Sequence, residues 1–231
     1  MKVILFGATG MVGQGVLREC LRDDTVDSVL VVGRTTVGVE HPKLREVLHA
    51  DLAGVMDRRE AEAEFSGYDA CFFCLGVSSV GMDEEAYRRI TYDLTLTVAR
   101  ALSSWNPGLT FVYVSGQGTD TSERGRVAWA RIKGKTENDL LALEMDSYMF
   151  RPGIIQPLHG ITSRTRLYRV LYSVGAPLFL VLKRLAPDQV TTTERLGRAM
   201  IAVAGARPGA GAGAGAGSRV LGTKEINRVG G

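Results

Sequence analysis

The amino-acid sequence predicts an α/β fold, a doubly wound parallel sheet with a small C-terminal cap on the substrate side. Three observations lead there. Short β-branched runs are apolar on both faces, longer helical patterns separate them, and a glycine-rich turn joins the first strand to the first helix. The length of 231 residues suits one domain with a core of its own, spanning 1–231.

In chain order, residues 3–6 form a short apolar strand and 11–22 an amphipathic helix. Residues 28–32 are the second strand, and 45–50 a weaker third with fewer apolar positions. A helical segment at 58–65 precedes the strand 70–75. Asp83 is placed to cap the long helix 84–104, in which Ile90, Leu94, Val98 and Leu102 recur every four residues and predict one buried stripe. Strand 109–114, helix 126–144 and strand 148–150 complete a rhythm that argues for right-handed βαβ units. From Gly153 the pattern changes. A helix or helix pair is expected at 163–185, broken near Pro177, and another helix at 193–204. The Gly/Ala tract within 205–218 has no hydrophobic period and reads as flexible. Val220 and Leu221 suit a last strand, and 224–228 a final turn.

Composition narrows the function. Lys and Arg number 28 against 25 Asp and Glu, a net charge of +3 with no basic run, which excludes a polyelectrolyte nucleic-acid binder. Three cysteines are too few for a disulfide scaffold and favour a reducing compartment. The opening apolar run is too short for a signal segment, and the uncharged stretch 170–182 is too short to span a bilayer. These features predict a cytoplasmic location. His41, His49 and His159 share no ligand spacing, so no metal site is expected.

The strongest local signal is Gly7-Ala8-Thr9-Gly10-Met11-Val12-Gly13, between an apolar strand and a helix. Glycines at this spacing permit a tight turn, close backbone approach to a pyrophosphate and close helix-on-strand packing. The helix start adds free N–H groups and a positive dipole end. A Rossmann-type dinucleotide site follows, with Gly7, Thr9, Gly10, Met11, Val12 and Gly13 in contact with the cofactor. The second strand ends at Gly33-Arg34. An arginine where an acidic residue would bind the ribose of NAD suits a 2′-phosphate, so the expected cofactor is NADP, with NAD as the alternative. Asp51 and Leu52 follow the third strand where an adenine edge would lie, and Leu75-Gly76 would let backbone pass close to a ribose. The cofactor-binding core is then 1–155, with substrate-side helices at 156–204 and a C-terminal strand and turn at 219–231.

In order, these residues resemble the atypical short-chain dehydrogenase/reductase family, NAD(P)-binding relatives of the sugar-nucleotide epimerases. The closest branch is the one of the Tat-interacting oxidoreductase-like proteins. The likeness spans residues 1–155 and includes G-x-x-G-x-x-G, Asp51-Leu52, Leu75-Gly76, Ser115 and Arg151-Pro152-Gly153. It implies cofactor contacts for Pro152 and Gly153. It also implies a Ser, Tyr, Lys active site in which Ser115 polarises a substrate oxygen and Lys133 binds the nicotinamide ribose. Trp129 occupies the tyrosine position, four residues before Lys133. An indole N–H does not exchange its proton near neutral pH, so Trp129 is no general acid. Tyr92, Tyr113 and a lysine-linked water are the remaining donors, with Tyr113 better suited to the core.

The resemblance thus implies an oxidoreductase or epimerase-like enzyme for a small carbonyl or hydroxyl substrate of unknown identity. The alternative is a catalytically weak NADP(H)-binding regulatory or scaffold protein. Cys71 and Cys74 form a C-x-x-C, but inside a strand their side chains point to opposite faces, as inert buried thiols. The segment 163–186 carries five basic and no acidic side chains and suits either a cover over the cleft or a weak contact with a membrane surface or protein.

Overall fold

The computed structural model describes residues 1–161, 187–206 and 219–231. The helix pair expected at 163–185, the basic contact segment 163–186 and most of the Gly/Ala tract lie outside the described residues.

Seven strands form one parallel sheet: β1 (Lys2–Phe6), β2 (Ser28–Gly33), β3 (Leu44–Leu48), β4 (Ala70–Phe73), β5 (Thr110–Val114), β6 (Asp146–Arg151) and β9 (Val220–Gly222). Their order across the sheet is β3-β2-β1-β4-β5-β6-β9. Two three-residue strands, β7 (Ile154–Gln156) and β8 (Val190–Thr192), pair in parallel as a separate sheet. The helices are α1 (Met11–Arg22), α2 (Ala61–Phe65), α3 (Glu84–Arg88), α4 (Leu94–Trp105), α5 (Ala128–Leu141), α6 (Thr193–Gly205) and α7 (Thr223–Val229).

Alternation along the strands builds two cores. Ile4, Phe6, Leu30, Val32, Cys71, Phe73 and Phe111 point to one face and pack with Phe65, Val98, Leu102 and Leu140 of α2, α4 and α5. Val3, Leu5, Val29, Val31, Phe72 and Val112 point to the other, against Val16, Leu17 and Cys20 of α1 and Leu196, Met200 and Val203 of α6. Helices on both faces explain why the central strands read as unbroken apolar runs. Rings of Phe6, Phe73 and Phe111 stack across β1, β4 and β5 at centroid spacings of 5.3 and 5.8 Å. On β3, only Val47 is buried, as befits an edge strand, which accounts for its weak sequence pattern.

The helix expected over 84–104 is one continuous rod with a defect in it. Asp83 caps it, its Oδ1 accepting the Ala86 N–H at 2.8 Å. Between α3 and α4, Arg89–Asp93 forms a π turn. The wider turn breaks the four-residue stripe. Val98 and Leu102 are buried in the core, whereas Ile90 and Leu94 are only partly buried and line a cavity, Leu94 packing against the core as well.

Candidate functional site

β1 and β4 are neighbours, yet the chain proceeds from them toward opposite edges of the sheet. A crevice opens at such a switch, beyond the C-terminal ends of the strands. Gly7 leaves β1 at φ 81°, and a Cβ there would lie 2.6 Å from the Leu75 nitrogen and 2.7 Å from the Cys74 carbonyl carbon. No side chain fits. A Cβ on Gly13 would overlap the Gly7 carbonyl, so the missing side chain lets α1 start directly against the turn. The turn is closed by the Gly10 N–H donating to the Gly7 oxygen at 3.0 Å. Gly10, the N-cap, offers no capping side chain, and the first turn of α1 holds no acid. Its N–H groups therefore remain available to an anion.

In front of this turn lies a cavity of about 750 Å³. Gly7, Thr9, Gly10 and Met11 line it, as do Arg34 from the end of β2, Asp51 and Leu52 after β3, and Leu75 and Gly76 after β4. The structure thus gathers nine predicted residues around one space. Val12 and Gly13 do not line it. Val12 packs on the core beneath α1, and Gly13 serves the close approach of helix to turn. Sequence reasoning missed Thr35, Val77, Arg89, Ile90 and Leu94, which also line it. Glycines that only bare backbone can satisfy, open helix N–H groups and a cavity of this size fit the adenosine and pyrophosphate half of a dinucleotide.

Ser115 and Lys133 lie together, outside that wall. The Lys133 ammonium donates to the Ser115 backbone oxygen. The Ser115 hydroxyl turns inward and donates to Glu137 Oε1 at 2.5 Å. Glu137 is fully buried, and Arg151 Nε reaches its two oxygens at 3.0 and 3.1 Å, with Nη2 adding a further bond. Sequence reasoning missed Glu137, although it stands one helical turn after Lys133 on α5 and shares that face. Burial pushes the Lys133 ammonium down to about 8, opposed by the negative charge of Glu137. The Trp129 indole, half-buried, covers Gly118, whose Cβ position lies 3.2 Å from Trp129 Cη2.

Pro152 and Gly153 are occupied with structural bonds. The Pro152 carbonyl accepts the Gln117 N–H at 3.0 Å, and the Gly153 N–H donates to Thr223 Oγ1 at 2.8 Å, so they tie β6 to its neighbours and do not line the cavity. Neither tyrosine considered as a proton donor lines it either. Tyr113 is buried in the core, and the Tyr92 hydroxyl donates to Asp139 at 2.5 Å beneath the Lys135 ammonium. Cys71 and Cys74 pack on opposite faces of the sheet, and burial raises both thiols above the ordinary range.

Residues 3–122 match the model of the NAD dependent epimerase/dehydratase family. A relative in Scheffersomyces stipitis, "Protein FMP52-2, mitochondrial", is 30% identical over 154 residues, 65% of this chain and 65% of its own. "Protein HTATIP2" of Rattus norvegicus is 26% identical, over 66% of this chain and 62% of its own. The chain thus matches slightly less than two thirds of these relatives' length. Among solved structures, MoeE5 in complex with UDP-glucose and NAD superposes with a TM-score of 0.65 at 16% identity, over 96% of this chain and 75% of that one. The reductase domain of PhqB from Penicillium fellutanum gives the same TM-score and identity, over 96% and 66%. These neighbours bear out the fold. The cytoplasmic expectation is corrected, because several relatives are mitochondrial by name, which points away from a purely cytoplasmic location.

Proposed function

The chain belongs to the NAD dependent epimerase/dehydratase family, and from that premise we propose that it binds NADP(H) in its cavity and acts as an oxidoreductase or epimerase-like enzyme on a small carbonyl or hydroxyl substrate. The observation that carries this reading is the cavity itself, where the glycine turn, the open start of α1 and Arg34 converge at the switch in strand order. A nicotinamide dinucleotide, when bound, supplies the hydride donor or acceptor. The chain's own residues bind and orient it. The Met11 N–H, at the open start of α1, receives the pyrophosphate, and Arg34, which has no acidic partner among the described residues, receives the 2′-phosphate. Lys133, whose ammonium donates to the Ser115 carbonyl, would bind the nicotinamide ribose.

Titration with NADPH and NADH, followed by cofactor fluorescence, tests the reading. Micromolar NADPH affinity that falls sharply in Arg34→Ala, with NADH unaffected, is expected. Equal affinity for both cofactors overturns the choice of NADP, and affinity for neither overturns the cofactor site.

A second reading is favoured by Trp129 and by the inward hydroxyl of Ser115. In it the protein holds NADP(H) without turning it over, as a regulatory or scaffold protein.

A further inference from the structure

We propose that Arg89, on the π turn of the long helix, is a pyrophosphate-binding residue that closes on the cofactor from the side opposite the glycine turn. The inference rests on the cofactor reading above and extends it to a residue outside the glycine motif.

NADP(H) brings two separate anionic groups, the pyrophosphate and the 2′-phosphate. Among the described residues, the cationic side chains that line the cavity are Arg34, after β2, and Arg89, on the π turn of the long helix. Arg34 follows β2, next to Thr35, where the ribose of the cofactor would lie. Arg89 enters with Ile90 and Leu94 from the helix packed on the other face of the sheet from α1. A pyrophosphate on the first N–H groups of α1 would thus meet backbone donors from one face and a guanidinium from the other.

The local backbone supports this. In the regular α-helix that the Ile90, Leu94, Val98, Leu102 repeat would give, all four residues would share one buried stripe. The π turn at Arg89–Asp93 brings Arg89, Ile90 and Leu94 together on the cavity wall. Turns of this kind are rare and occur frequently at functional sites. The guanidinium is also free to serve. Its ion pair is a 3.4 Å contact with Glu85, in which both side chains are largely exposed. Such a pair contributes little and yields readily to a doubly charged phosphate group.

The two arginines then have separable roles. Arg34 discriminates NADPH from NADH, and Arg89 binds what the two share. Affinities for NADPH and NADH should be measured by cofactor fluorescence for the wild type, Arg89→Ala, Arg89→Lys and Arg34→Ala, with circular dichroism confirming the fold. The expected result is a loss of about tenfold in Arg89→Ala, equal for both cofactors, partly restored in Arg89→Lys. Unchanged affinities in Arg89→Ala, with the wild type binding normally, overturn the inference alone. A loss confined to NADPH also overturns it, because Arg89 would then serve the 2′-phosphate. A wild type that binds neither cofactor overturns the cofactor site itself, and this inference with it.

Discussion

Ser115 donates its hydroxyl to Glu137, across the join between β5 and α5, at 2.5 Å. The serine that the sequence pattern would aim at a substrate is spent on a fully buried carboxylate, which Arg151 neutralises with a forked pair. The three residues form a closed polar unit, and its contribution is to stability. Glu137→Ala strands the arginine and should destabilise the protein by about 3 kcal/mol, since removing one partner leaves a charge under poor solvation. Glu137→Gln keeps an acceptor for Ser115 and should cost about 1–2 kcal/mol. Urea denaturation midpoints check both, and a Glu137→Ala protein as stable as wild type refutes the account.

Lys133 makes stability depend on pH in a particular direction. Its folded pKa of about 8 lies below the ordinary 10.5, so between these values the unfolded chain holds the extra proton. Burial of the charged amine therefore costs most at and below neutral pH, and that cost fades as pH rises from 8 toward 10.5. Cys20, Cys71, Cys74 and Tyr113, all pushed up by burial, act in the opposite sense at alkaline pH. They are common to wild type and Lys133→Met and drop out of the difference. Between about pH 7 and about pH 9.5, wild type should gain on the order of 1 kcal/mol relative to Lys133→Met in urea denaturation. A difference that stays flat shows that Lys133 titrates normally.

Two glycines on the cavity wall should respond in opposite ways to the same methyl group. At Gly7 the φ of 81° and the backbone of Cys74 and Leu75 leave no room. Gly7→Ala should cost at least about 2 kcal/mol of stability and abolish NADPH binding with it. At Gly76 nothing lies within 4 Å of the added Cβ. Gly76→Ala should stay within about 0.5 kcal/mol of wild type. Its NADPH affinity should fall by about tenfold, because the methyl occupies space through which the cofactor passes. Thermal unfolding and cofactor titration on the same two proteins separate the effects. A Gly76→Ala protein with full affinity shows that the cofactor keeps clear of this loop.

What the sequence made legible follows from how far apart the deciding contacts lie. Central strands such as β1 and β2 are buried on both faces, so their runs of β-branched residues are unambiguous without any partner. The glycine motif is local as well, its three glycines lying within seven residues, although the backbone of Cys74 and Leu75 that crowds Gly7 is not. β7 and β8 each have three residues and no period to read, and they pair only through the fold. The π turn is hidden because a one-residue widening leaves the repeat of Ile90, Leu94, Val98 and Leu102 intact in sequence while turning half of it toward the cavity. The Ser115, Glu137 and Arg151 unit joins β5, α5 and β6 across sequence separations of 22 and 14 residues. No spacing rule reaches that far, so Ser115 read as a free hydroxyl.

Trp129 decides between turnover and binding alone. It precedes Lys133 by one helical turn, so a phenol at this position would stand on the same face as the low-pKa ammonium, which favours the ionised phenol and eases proton transfer. The indole instead contributes packing, covering Gly118 with the edge of its larger ring. Trp129→Tyr removes part of that cover and should cost about 1 kcal/mol of stability. It leaves the cavity wall untouched, so NADPH affinity should remain as in wild type. With a panel of quinones and aldehydes as probes, NADPH oxidation should rise by about 10²–10⁴-fold, the usual worth of a positioned general acid. That gain would show a reductase site that lacks only its proton donor. Unchanged, negligible oxidation in a variant that still binds NADPH would overturn the enzyme reading, because the acid would be present and the hydride source bound. The inward hydroxyl of Ser115, held by Glu137, would then be the reason.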